Sequence, residues 1–507
     1  MTGGDCGHCR SGLTERPRHD MQQVLLAGLD FGSTTSGMLL ARAAWHRHTA
    51  SGRVTLDAPE VVFRSDPVFT PFEECAPRLD RQRLEAMLEE WTEESGVDLR
   101  DAFAGGVIIT GLAARSENAR ELAQLLGTRF GDMVVATAND PGLESWLAFM
   151  GNCSRLGRAH PGERMLNLDI GGGTTNSALG IAGNVHEVGC HHIGARHWRF
   201  RPGSFELVGL SVIGRRVMDV LDIEADVGDT LDVSAIERVV GYLVTALETL
   251  ATAQRGLFET PDFAMLVDRP LEPDGGDARH RGRTATDGDS PLAITFSGGI
   301  GELVYRGSVG DALPKRTAFG DLGTELARGI LASPVLNRDL ERLRPDALGR
   351  ATVYGLGLHS TELSGATLYL PDPALLPLSD LPIVARVPYD AERATLERAL
   401  RLAPARSEGT CLQLMAGDSI GPDRERLKAF ASALNESLDA VGFPRERTMV
   451  LLTEHNLGKS LGNYLTEWGR RPRRLVVIDE IPDRQAQFVN VGRHRDGVVP
   501  VSCYGVG

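Results

Sequence analysis

Residues 166–180 read Leu-Asn-Leu-Asp-Ile-Gly-Gly-Gly-Thr-Thr-Asn-Ser-Ala-Leu-Gly: an apolar run ending in a carboxylate, three glycines, then a second apolar run. The pattern predicts a strand, a tight turn and a returning strand. Glycine at 171, 172 and 173 leaves the backbone N–H groups uncovered, and successive N–H groups in a turn form a concavity that takes phosphate-like anions. Thr174 and Thr175 add hydroxyl donors. Asp169 stands where a carboxylate holds Mg2+ through water, because that ion keeps most of its hydration shell. Three glycines after a strand also suit a plain hairpin. A second copy argues against that reading: Leu25 to Leu40 repeats the plan, with Asp30, Gly32, Ser33, Thr34 and Thr35 in the corresponding places. A third stretch, Ile294 to Glu302, is a strand running into Gly298, Gly299 and Gly301, which lets backbone pass close under an adenosine.

These three stretches, in this order, resemble the phosphate-1, phosphate-2 and adenosine motifs of the actin, sugar-kinase and Hsp70 ATPase superfamily over roughly residues 24–335. The resemblance implies an α/β fold: a two-lobed actin/Hsp70-like ATPase with ribonuclease-H-like halves around an ATP cleft. Within the superfamily, Thr352 to Thr367 and the stretches 475–479 and 498–501 resemble the large reactivating factor of adenosylcobalamin-dependent ethanolamine ammonia-lyase, which extends the likeness from about residue 22 to most of the chain.

The resemblance implies ATP or ADP with Mg2+ held at Asp30 and Asp169. Gly32, Ser33, Thr34, Thr35, Gly171, Gly172, Gly173, Thr174 and Thr175 would meet the phosphates, and Gly298, Gly299 and Gly301 the adenosine. Pro141 to Gly151 resembles the helix that crosses between lobes, which makes Glu144 a third catalytic candidate beside the two aspartates. The implied partner is ethanolamine ammonia-lyase, from which damaged cobalamin would be released so that adenosylcobalamin rebinds. A small-molecule kinase and an actin-like assembly ATPase stay open as alternatives. So do a homo-oligomer and association with a bacterial microcompartment. The Hsp70-like members resembled place a lysine from the first lobe near the γ-phosphate. This chain has no lysine before Lys315, which points to slow turnover suited to a switch.

At 507 residues the chain exceeds one core, and two or three domains are expected. A net charge of -14 argues against general nucleic-acid binding. No run of apolar residues is long enough to span a membrane, and seven scattered cysteines fit a reducing compartment, so a cytoplasmic protein is expected.

The expected divisions are a disordered tail over 1–20, a first ATPase lobe over 21–155, a second over 156–335 with a mobile insertion at 268–290, and a C-terminal region over 336–507. The tail carries Cys6-Gly7-His8-Cys9 but no second such pair, and His186, His191, His192 and His197 cluster near Cys190; neither group is read as a metal site. Helices are expected over Leu84–Trp91, Ser116–Leu126, Ser234–Phe258 (with Ser234 and Glu237 at capping-box spacing) and Asp321–Leu331, the last by resemblance a second crossing between lobes. Five prolines between Pro371 and Pro388 suggest a linker or edge. Short apolar runs at 412–415, 448–452 and 475–478, with helices between, predict a small parallel α/β unit. There Leu457-Gly458-Lys459-Ser460 has the setting of a P-loop, but Thr453 stands where its first glycine belongs, so a solvated helix start is expected.

Overall fold

The computed structural model describes residues 22–32, 35–48, 54–57, 59–66, 68–73, 78–109, 116–118, 121, 125–126, 134–137, 141–252, 254–273, 292–345, 352–353, 355, 361–365, 367–403, 409–415, 421–483 and 486–504. The N-terminal tail, Ser33, Thr34, residues 119–120 and 122–124 of the helix expected at 116–126, and 274–290 of the expected insertion lie outside the described residues.

Strands β1 (Gln22–Phe31), β2 (Thr35–Arg47), β3 (Val54–Leu56), β4 (Glu60–Arg64), β5 (Val68–Phe69), β6 (Ala104–Ile109) and β7 (Val134–Thr137) form one sheet in the order β3-β2-β1-β6-β7, with β4 and β5 also on β2. β1 is antiparallel to β2 and parallel to β6. Helix α1 (Arg81–Ser95) covers this sheet: Leu84, Met87, Leu88 and Trp91 recur at helical spacing and share a core with Leu29, Phe31, Met38 and Leu40. Asp80 caps its start by accepting from the Arg83 N–H, and Gly96, at φ 63°, ends it in the left-handed region.

Helix α2 (Pro141–Ala159) touches two sheets. Leu143 and Leu147 share an apolar cluster with Ile108 of β6, while Phe149, Met150 and Cys153 share one with Met165, Ala178 and Val188 of the next sheet.

That second sheet repeats the first. Following α2 come β8 (Arg164–Ile170), β9 (Thr175–Ile181), β10 (Asn184–His191), the small pair β11 (Trp198–Phe200) and β12 (Leu207–Leu210), α3 (Val233–Ala251), β13 (Val267–Pro273), β14 (Ala293–Ser297), α4 (Gly298–Ser308) and α5 (Gly323–Ala332). The order is β13-β10-β9-β8-β14, with β8 antiparallel to β9 and parallel to β14 as β1 is to β2 and β6. Two halves of like topology, joined by α2, give the two-lobed actin-like ATPase fold expected from the sequence.

Four local expectations are corrected. Asp268–Pro273, read as the start of an insertion, belongs to edge strand β13, where prolines are tolerated because one side of the strand needs no N–H partner. The cap of α3 is Asp232, which accepts from the Ala235 N–H at 2.7 Å, and no Ser234 cap forms. α5 packs within the second lobe, its Leu326, Ala327 and Ile330 joining Leu243 and Leu247 of α3. The segment that comes against the crossing helix is instead around Gly355, where a Cβ would collide with the Leu147 carbonyl oxygen.

The C-terminal region holds β15 (Thr361–Ser364), β16 (Leu378–Pro388), α6 (Arg393–Arg401), β17 (Gly409–Met415), α7 (Arg424–Ala440), β18 (Thr448–Thr453), α8 (Gly458–Thr466), β19 (Leu475–Ile478), β20 (Phe488–Val491) and β21 (Val499–Tyr504). β16 to β19 run parallel, as the alternation of strand and helix predicts. The proline-rich stretch is the fourth correction. β16 is an interior strand between β20 and β17, its ladder shifted in register between Leu378 and Leu381, beside Pro382. This unit docks on the first lobe through Leu363 and Val498, which share a cluster with Val24, Ala43 and Trp45. Among the described residues no helix is long and apolar enough to cross a membrane.

Candidate nucleotide and metal site

The two glycine turns close in the same way. The Gly32 N–H donates to the Thr35 carbonyl at 3.0 Å, and the Gly171 N–H to the Thr174 carbonyl at 2.9 Å. Asp30 lies opposite Gly37 and Phe31 opposite Ser36, while Asp169 lies opposite Asn176 and Ile170 opposite Thr175. Residue for residue, Gly32 therefore matches Gly171, and Thr35 matches Thr174. Gly171, Gly172, Gly173 and Thr174 keep part of their surface exposed, and a Cβ on Gly173 would meet nothing within 4 Å, so one side of the turn is open to a ligand.

Asp30 and Asp169 sit at the roots of these turns, and Asp30 senses the charge of Asp169. Asp30 is half-buried, its Oδ1 is shut off from solvent without a hydrogen-bond partner, and burial followed by the charge of Asp169 pushes its pKa up to about 7. Asp169 is buried at 7% exposure and is raised by burial to about 6, against the hydroxyl of Ser297, which donates to its Oδ1 at 2.5 Å. Two carboxylates placed together, one buried and the other half-buried with an orphaned oxygen, are costly without a counter-charge. An oxygen-liganded divalent cation that keeps its water satisfies both, so the residues present fit Mg2+.

The third glycine stretch is pressed against the second turn. Gly298 has φ 74°, and a Cβ there would come 2.5 Å from the Ile170 carbonyl oxygen. At Gly301 a Cβ would come 2.9 Å from the Phe296 carbonyl carbon, whereas a Cβ on Gly299 would point into open space. Of the threonines, Thr174 stays half-exposed in the turn. Thr175 is buried and its hydroxyl donates to the Ile193 carbonyl at 2.7 Å, so the phosphate-side hydroxyl expected from it is committed to the core. Thr35, at the matching turn end, is exposed, and Glu144 lies half-buried in the first turn of α2. Among the described residues no three His, Cys, Asp or Glu side chains gather as a metal site, the histidine cluster included. At α8 the Gly458 N–H already bonds the Thr367 hydroxyl at 3.1 Å.

Several residues at the site were not singled out from the sequence. Gly194 lies over the second turn, where a Cβ would come 2.5 Å from the Gly172 carbonyl oxygen, and the neighbouring Arg196 N–H donates to that oxygen. Behind Asp169 runs a buried polar row: Ser297, Asn167 of β8 and Asn152 of α2. A signal for it exists, since Asn167 is an amide in the middle of an apolar strand and a buried amide needs partners.

A family model described as ethanolamine utilisation protein EutA matches residues 22–505. The chain is 30% identical over 495 residues to the ethanolamine ammonia-lyase reactivase EutA of Salmonella typhimurium (strain LT2), covering 95% of this chain and 98% of that protein. It is 29% identical over 504 residues to the protein of the same name from Escherichia coli (strain K12), with coverage of 95% and 98%. Among solved structures, a Ppx/GppA family member from Aquifex aeolicus is 16% identical and aligns with a TM-score of 0.31, covering 66% of this chain and 88% of that one.

Proposed function

This chain belongs to the EutA family of ethanolamine utilisation proteins, and we propose that it is an ATP-dependent reactivating factor for ethanolamine ammonia-lyase. Relatives named as reactivases of that lyase support the partner. The nucleotide part rests on one observation: Asp30 and Asp169 occupy the same register point in two like hairpins, close enough for the charge of one to raise the other.

When bound, Mg2+ supplies charge neutralisation at the phosphates. In this reading Asp30 and Asp169 hold the ion through water. Backbone N–H groups of Gly32, Gly171, Gly172 and Gly173, with hydroxyls of Ser33, Thr34, Thr35 and Thr174, take phosphate oxygens. Gly298, Gly299 and Gly301 admit the adenosine, and Glu144 is the third acid of the cleft. Lobe movement about α2 follows nucleotide state and is passed to the lyase, loosening its cofactor site so that damaged cobalamin leaves and adenosylcobalamin enters. Such coupling requires that ATP and ADP states differ in affinity for the lyase, since a ligand shifts an equilibrium only by differential binding. The absence of lysine before Lys315 fits a slow ATPase, and the setting is the cytoplasm.

The test is recovery of ethanolamine deamination by lyase preloaded with cyanocobalamin, after addition of this protein, Mg2+, ATP and adenosylcobalamin. Recovery that needs ATP and is lost in Asp169→Ala is expected. No recovery from folded protein that binds ATP would discard the reading.

A further inference from the structure

The row behind Asp169 has a direction. The amide Nδ2 of Asn152 donates to the Phe296 carbonyl at 2.9 Å and to Asn167 Oδ1 at 2.7 Å. A backbone carbonyl accepts only, so the Phe296 oxygen settles which end of the Asn152 amide faces inward; Asn152 Oδ1, on the other side, has no partner to pull it round. Asn167 must then present its oxygen to Asn152, and the Thr295 hydroxyl bonds the same oxygen at 3.1 Å. Its Nδ2 is left to donate to Ser297 Oγ, at 2.9 Å. With its oxygen accepting, Ser297 directs its hydrogen to Asp169 Oδ1, at 2.5 Å. All four residues are buried.

Ser297 also gives up a common role for this arrangement. It is the N-cap residue of α4, where a serine oxygen ordinarily accepts from the helix's first free N–H groups, yet it makes no side-chain cap bond. A buried serine that leaves its own helix uncapped and bonds a carboxylate is placed for the carboxylate.

We propose that Asn152, Asn167 and Ser297 are positioning residues, a one-way hydrogen-bond relay from the crossing helix α2 that fixes the Asp169 carboxylate by its Oδ1 and so leaves Oδ2 as the oxygen free to serve the cation. The proposal rests on the reading of Asp169 as a Mg2+ ligand. It adds that the seating of α2, which touches both lobes, and the aim of the metal carboxylate are one arrangement.

The experiment measures ADP affinity of the full chain by calorimetry in Mg2+ and in EDTA, with a thermal melt of each variant. Ser297→Ala removes the last donor, and the Mg2+-dependent gain in affinity is expected to fall about tenfold, the scale of a hydrogen bond to a charged group, with affinity in EDTA unchanged. Ser297→Thr, which keeps the hydroxyl, restores it. Asn152→Asp is nearly isosteric but has no donor for Phe296; it draws Asn167 Nδ2 to itself, turns Asn167 Oδ1 toward Ser297, and diverts the serine hydrogen away from Asp169. It is expected to reproduce the Ser297→Ala loss from a helix away. Wild-type Mg2+ dependence in folded Ser297→Ala overturns the proposal, as does equal loss in Mg2+ and in EDTA, which marks a merely structural role. If Asn152→Asp does not fold, the Ser297 pair decides. A wild-type chain whose ADP affinity ignores Mg2+ refutes instead the ligand assignment of Asp169, and the relay with it.

Discussion

Asp30 and Asp169 each stand two residues before the glycine that donates the turn-closing hydrogen bond, in different lobes, and the charge of Asp169 adds to burial in raising Asp30. The folded pKa values of about 7 and about 6 lie above the ordinary 3.8, so the native state without metal binds protons that the unfolded chain has released. Stability from this pair is present below about pH 4 and is lost as pH rises toward 7. Without Mg2+ and nucleotide, thermal midpoints should fall across this window. Asp30→Asn should flatten the fall and gain on the order of 1–2 kcal/mol at pH 8, discounted for partial exposure of the group. Saturating MgADP should abolish the slope. A wild-type profile identical to that of Asp30→Asn would show that the pair is not charged in competition.

His197 should give the opposite slope. Burial lowers its pKa from 6.5 to about 4, with Nδ1 against the Ser211 hydroxyl at 2.8 Å. A base held neutral by the fold contributes stability that is complete above pH 6.5 and is lost as pH falls toward 4. His197→Gln should remove that acid-side loss while leaving the Asp30 slope in place. Melts from pH 4 to 8 on the two single variants and the double separate the contributions.

How far the sequence reaches is visible in particular residues. Asp30, Asp169 and the glycines around them are legible because strand–turn–strand pairing is local, and the like topology of the halves follows from their repetition. The parallel strands β17, β18 and β19 are legible from apolar runs alternating with helices. β16 is not, because its register is set by β20, about a hundred residues on, and proline statistics say nothing of that pairing. The Ser297–Asp169 bond joins residues 128 apart and leaves no local mark. The Thr175 hydroxyl looks the same in sequence as that of Thr174, and only the neighbouring Ile193 carbonyl decides its direction.

The glycines should divide by what faces their missing side chains. Gly298→Ala places a Cβ 2.5 Å from the Ile170 carbonyl oxygen at φ 74°, and Gly194→Ala places one equally close to the Gly172 oxygen. Each should cost roughly 1–3 kcal/mol in a denaturant melt, the usual scale of local strain. Gly173→Ala meets nothing within 4 Å, so its melt should match wild type while its ADP affinity drops, because the methyl stands on the open, ligand side of the turn. An unchanged affinity would remove Gly173 from the phosphate site.

Arg47, on β2, ties the first lobe to the C-terminal unit. Its guanidinium donates to the Gly365 carbonyl at 2.7 Å and the Gly497 carbonyl at 3.1 Å, while Leu363 and Val498, close to those glycines in sequence, join the apolar cluster of the first sheet. Arg47→Ala removes both bonds and should weaken the docking by about 1–3 kcal/mol, the range for hydrogen bonds from a charged donor. The expected result is faster limited proteolysis between the lobes and the C-terminal unit, with ADP affinity preserved because Asp30 and Asp169 lie in sheets that Arg47 does not join to each other. Lost ADP affinity in a variant that melts as wild type would mean instead that the C-terminal unit helps to set the nucleotide cleft.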